Sequence, residues 1–189
     1  VSTYNAFANA LFQDNALRVG REPDSTLLTE AGAWALAHQV VLDADDEDAL
    51  IALGLRPERL AEVVIALDHE MVDNEADPDA VVALAGRFTA LRELPPKPRA
   101  RKPGPGKEVL EAVEAVEALE TLVPLVQEYE RRKRERGVIE YSDQVALALR
   151  AIRADPAAAA LYRQRYDAIL LDEYQDTSVS QTRLLAALF

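Results

Sequence analysis

The chain has 189 residues, 49% of them hydrophobic, and a net charge of −12; it can bury a core and is no disordered tail. It has no cysteine, which excludes a disulfide framework, a thiolate zinc site and an iron–sulfur cluster within these residues, and no apolar run approaches the ~20 residues of a membrane span. The expectation is a soluble protein compatible with a reducing cytoplasm. Acid is concentrated in residues 42–80, with thirteen acidic side chains against Arg56 and Arg59, while the remainder is nearly balanced. The net charge therefore does not exclude a nucleic-acid partner for the rest of the chain.

In chain order, Val1 to Thr3 reads as the end of a strand, and TYNAFANALFQDNALRVG carries Phe7, Leu11 and Leu17 at near-helical spacing up to Gly20, a natural stop. A second helix follows, with Thr29 as its N-cap and Ala33, Trp34, Leu36, Ala37, Val40 and Val41 as its apolar face. The acidic DADDED run ends it. Pro57 suits the first turn of a third helix, and Asp77 with Pro78 opens a fourth. Residues 95–107, PPKPRARKPGPGK, combine five prolines, two glycines and five bases with no acid, which rules out a helix interior and predicts a mobile basic loop. A long helical pattern then runs to Gly137, with a bend expected near Pro124. Two more helical patterns are separated at Pro156, and DAILLDE, residues 167–173, reads as a buried strand. A single strand leaves its ladder unpaired, so the sequence reads as a part of something larger.

The string LLDEYQDTSVSQ, residues 170–181, carries the chemistry. In open α/β sheets the reactive crevice lies outside the carboxyl ends of the strands, the place predicted for Asp172 and Glu173. Nucleotide hydrolysis needs one carboxylate to hold Mg²⁺ and another to orient or deprotonate the attacking water; Asp172 suits the first role and Glu173 the second. The plainer alternative is a solvated turn. Ser178 and Gln181 are expected to form a capping box on the next helix under either reading.

ILLDEYQDTS resembles motif II, the Walker B element, of the UvrD/Rep/PcrA group of superfamily 1 DNA helicases. The resemblance implies ATP and Mg²⁺ as cofactors, with Asp172 on the metal, Glu173 as catalytic base and Gln175 coupling the nucleotide to neighbouring motifs. STYNAFA, residues 2–8, resembles the family's T-[FY]-H-[SA]-[FL] element, which implies contact of Thr3, Tyr4 and Asn5 with single-stranded DNA; Asn5 stands where His is usual. GVIEYSDQVALAL, residues 137–149, is similar to the family's G-x-x-D-F-D-D-L segment, with Glu140, Tyr141, Ser142 and Asp143 in the D-F-D-D places.

The implied fold is mainly α: a helical insertion domain (1B) attached to an incomplete P-loop α/β motor domain (1A) with one or two strands. The implied division is 1–20 motor, 21–136 helical insertion and 137–189 motor with Walker B. The whole protein would be an ATP-dependent helicase moving 3′ to 5′ on single-stranded DNA and unwinding duplex. No G-x-x-x-x-G-K-[ST] occurs in these residues, so the segment alone is expected to be inactive. The alternative is a non-catalytic subunit that retains the fold to bind DNA or protein. Lys97, Arg99, Arg101 and Lys102 are candidate duplex contacts, as is the ERRKRERG run at 130–137; for both the competing reading is a solvated surface. His38 and His69 stand alone in helical patterns, and no metal role is expected of them.

Overall fold

Thr3 opens the first helix. Its hydroxyl accepts the Ala6 amide at 3.2 Å, and the expected strand end at residues 2–3 is instead the cap of α1, Tyr4–Asn15. A short 3-10 turn, Ala16–Val19, carries the chain to Gly20 at φ 66°, the left-handed conformation that ends a helix without steric cost in glycine. The computed structural model describes residues 2–95 and 104–189; the basic stretch 96–103 lies outside them.

Thr29 caps α2, Glu30–Leu42, as its spacing predicts. The acidic run that ends α2 also starts a short helix: Asp46 accepts the Ala49 amide at 3.0 Å and opens α3, Glu47–Ala52. Then follow α4, Pro57–Asp73, and α5, Pro78–Phe88, each with proline in its first turn, where its missing N–H costs nothing. The long pattern after the basic loop is two helices, α6, Lys107–Glu117, and α7, Leu119–Glu135. The break lies at Ala118 and not at Pro124, which remains inside α7. A break six residues upstream places Pro124 in the second turn of a new helix, close to the end where unpaired groups are tolerated.

Two strands occur among the described residues, and neither is the expected one. β1, Thr26–Leu27, and β2, Val138–Ile139, pair in parallel, with Leu28 N donating to Ile139 O at 2.8 Å. DAILLDE forms no strand here; Leu170 is 97% exposed and Ile169 and Leu171 are also open. Its apolar run has no neighbouring ladder among the described residues, and an extended segment without one gains no backbone hydrogen bonds. The remaining helices are α8, Tyr141–Ala154, α9, Pro156–Gln164, and α10, Val179–Leu188.

Apolar burial forms two clusters. One joins both ends of the chain: Leu11 and Phe12 of α1, Ile139, Leu149 of α8, Tyr162 of α9 and Leu188 of α10. The other joins the middle: Leu36 and Val40 of α2, Leu60 and Val64 of α4, and Val123 and Tyr129 of α7. The β1–β2 pair lies where the chain leaves the first cluster and returns to it, so exit and re-entry are stitched side by side. Trp34, expected on a buried face, is 38% exposed and stacks on His38 one turn later, with ring centroids 4.7 Å apart.

Candidate functional site

Asp172 and Glu173 line an open hollow of about 730 Å³ together with Ser2, Thr3, Tyr4 and Phe7. The two ends of the sequence thus meet at one place, because α1 and α10 both pack on α8. Its remaining walls are apolar, from Tyr166, Ala168 to Leu171, Leu185 and Phe189. Asp172 turns back to accept the Glu173 amide at 3.0 Å, and Glu173 holds a left-handed conformation, φ 52° and ψ 35°. Such a conformation costs a non-glycine residue of order 1 kcal/mol and is concentrated at functional positions. A 3-10 turn, Tyr174–Asp176, follows, closed by the Thr177 hydroxyl donating to Tyr174 O at 2.7 Å. Ser178 and Gln181 then make the expected capping box: Gln181 N to Ser178 Oγ at 3.2 Å, Ser178 N to Gln181 Oε1 at 3.0 Å.

Of the other expected site residues within the described part of the chain, Thr3 and Tyr4 share this hollow and Asn5 and Gln175 do not. Thr3 spends its hydroxyl on the α1 cap, and the Tyr4 hydroxyl is buried without a hydrogen-bond partner among the described residues. Gln175 makes only a long 3.5 Å contact with Asp176. Lys97, Arg99, Arg101 and Lys102 fall outside the described residues.

The ERRKRERG run is largely committed within the protein. Arg131 and Arg132 bond Glu128, each at 2.6 Å, and Arg132 reaches Asp43 at 2.8 Å. Lys133 is fully buried. Its ammonium donates to Asp68 at 2.9 Å, to Glu140 at 3.1 Å and to both oxygens of Asp143 at 3.0 and 3.1 Å, with Glu130 also in ion-pair contact. Arg21, itself buried, approaches the other Glu130 oxygen at 3.5 Å. Tyr129 donates to Glu140, and His69, far from standing alone, shares a 3.1 Å hydrogen bond with the other Glu140 oxygen. These carboxylates lie close enough to hold a cation; the cation is Lys133. Buried charges persist only when paired in this way.

The protonation states follow from crowding. Burial, reinforced by Glu130 and Asp143, raises the Asp68 carboxyl to about 7 despite Lys133, and burial raises Asp143 as well. Burial pushes Glu140 the same way, but His69 and Lys133 outweigh it and hold Glu140 at about 2. Sequence reading missed this network, since contacts between α4, α7 and the start of α8 leave no local pattern. One signal was legible: Glu140 and Asp143 sit three residues apart and form a capping box on α8, in which Asp143 accepts the Glu140 amide at 2.8 Å.

A family model, the UvrD/REP helicase N-terminal domain, matches residues 1–189. Over 62 residues the chain is 40% identical to an ATP-dependent helicase/nuclease subunit of Lactococcus lactis subsp. lactis, covering 33% of this chain and 5% of that protein. It is 40% identical over 60 residues, 32% of this chain and 5% of the relative, to the exonuclease/helicase subunit RexA of Lactococcus lactis subsp. cremoris. It is 38% identical over 66 residues, 30% of this chain and 5% of the relative, to an ATP-dependent helicase/nuclease subunit of Geobacillus thermodenitrificans. Among the described residues no helix is long and apolar enough to cross a membrane. With the family match running the full length of the chain, residues 1–189 belong to the UvrD/REP helicase N-terminal domain family.

Proposed function

We propose that the chain is the Walker B-bearing part of an ATP-dependent DNA helicase, with helical domain 1B at residues 21–136 inserted into motor domain 1A at 1–20 and 137–189. The observation that carries the reading is the convergence of the Asp172–Glu173 pair and the Thr3–Tyr4 element on one hollow. A nucleotide-hydrolysing pair and a strand-contacting element must be neighbours if hydrolysis is to drive movement along DNA. The donor chemistry suits Mg²⁺, which prefers hard oxygen ligands and retains much of its water. Asp172 would hold the ion, which would offset charge on the phosphates. Glu173, exposed and free to face water, orients and deprotonates the attacking water; Gln175 reports the state of the nucleotide to neighbouring segments of the longer protein. Direction 3′ to 5′ and duplex unwinding belong to the same proposal, as does inactivity of residues 1–189 by themselves. The names of the relatives favour one extension, a helicase combined with nuclease activity in the longer protein.

The test is Glu173→Gln in the longer protein. Gln keeps size and a hydrogen bond to water but cannot take its proton, so single-turnover ATP cleavage should fall ~10²–10⁴-fold while nucleotide affinity stays within a few-fold. Asp172→Asn should weaken Mg²⁺-dependent nucleotide binding as well. Hydrolysis by Glu173→Gln within a few-fold of wild type removes Glu173 from the role of base.

A further inference from the structure

Glu75 ends α4 in an unusual way. Its amide donates to Val72 O at 3.2 Å and the next amide, Ala76, to Met71 O at 2.8 Å, the pair of bonds that closes a helix by a left-handed residue. Glycine normally fills that place. Here it is Glu75 at φ 50°, one of two non-glycine residues with positive φ among those described; the other is Glu173. The cost relative to glycine is of order 1 kcal/mol, so something retains the side chain.

What it reaches is specific. The Glu75 carboxylate takes Arg183 of α10 at 2.5 Å on one oxygen and Arg153 of α8 on the other. Burial opposes its ionisation, but the two arginines prevail and hold it below the ordinary carboxylate range. Glu75 is largely covered, but both arginines are half-exposed, and ion pairs open to solvent on one side are screened and contribute modestly to stability. A clamp that offsets at most its own backbone strain is poorly explained as a fold stabiliser. Its position offers a better explanation: α10 begins two residues past the 172–176 string, whereas α4 and α5, followed by a 3-10 turn at Thr89–Glu93, precede the basic stretch at 95–107 in the chain.

We propose that Glu75 is a positioning residue that locks α10, and with it the Asp172–Glu173 turn, to the α4–α5 layer, so that DNA engaged by the helical insertion changes the hydrolytic turn. This rests on the reading of the chain as part of a DNA-stimulated ATPase. Glu75 touches neither substrate nor reacting atoms; it acts through Arg183.

The experiment uses the longer protein with Glu75→Gly, which relieves the backbone, and Glu75→Gln, which removes only the charge. Thermal stability should fall only slightly in Glu75→Gln, which loses the charge facing two arginines, and be unchanged or higher in Glu75→Gly, which also loses the backbone strain. ATP hydrolysis without DNA serves as each variant's own reference. The stimulation by saturating single-stranded oligonucleotide should fall about five-fold or more, the lower range of coupling between sites. Wild-type stimulation in both variants overturns the proposal, and so does a loss that merely tracks a fall in melting temperature. Should the wild-type protein show no DNA-stimulated hydrolysis, the functional reading fails on its own, and amide exchange across residues 174–188 decides about Glu75: faster exchange in Glu75→Gln supports the clamp, and unchanged exchange overturns it.

Discussion

At the scale of single residues, Lys133 shows how little a side chain's type says about its use. In sequence it is one base in a run of bases suited to phosphate; in the fold it is the buried counter-ion of Asp68, Glu140 and Asp143. Removing it leaves buried carboxylates unpaired, so Lys133→Ala should cost about 3–5 kcal/mol of stability in urea unfolding, while a surface role would cost almost nothing. The same network sets a pH dependence. Asp68 is raised from 3.8 to about 7, so between those values the folded chain holds a proton that the unfolded chain has released, and stability falls as pH rises through that window. His69 is raised as well, chiefly by its Glu140 hydrogen bond; its contribution is full below about 6.5 and is lost as pH rises beyond its folded value. Glu140, held at about 2, contributes above the ordinary carboxylate range and loses its contribution as pH falls toward 2. The cluster therefore favours folding most in mildly acid solution, and Asp68→Asn should flatten the decline between pH 5 and 7. A wild-type protein whose stability does not decline over that range contradicts the assignment.

At the scale of elements, local chemistry was the reliable guide. Thr29, Asp77 and Ser178 each cap a helix by a side-chain oxygen on a backbone amide, and Gly20 takes the left-handed stop; each such choice is decided within one turn of chain. The break at Ala118 was not legible, because a proline within the first turns of a helix is compatible with breaks at several nearby places. The basic stretch at 95–107 belongs to this scale by composition. If it grips duplex phosphates, replacing Lys97, Arg99, Arg101 and Lys102 by Ala in the longer protein should weaken binding and flatten its dependence on salt, since each lost phosphate contact lowers the slope by about one. An unchanged slope returns the stretch to a solvated linker.

At the scale of the whole molecule, the open segment 168–171 makes the last prediction. In the longer protein it should pair as a strand, so its amides should exchange more slowly there than in residues 1–189 alone; equal exchange would mean that the segment is a loop in both. The apolar run, the D-E pair and the capping box after it could all be read from the sequence, because strand propensity, acid chemistry and capping are local properties. So could the mainly helical class, since apolar spacing reports one face of a helix at a time. The DAILLDE segment forms no strand within residues 1–189 for the converse reason: a strand is completed by partners, and propensity does not supply them. Only the tertiary structure brought Thr3 and Asp172 to one hollow, buried Lys133 among acids from α4 and α8, and set Glu75 between two arginines. Most of these contacts join residues tens of positions apart, and which charges meet is decided by how helices pack rather than by any pattern along the chain.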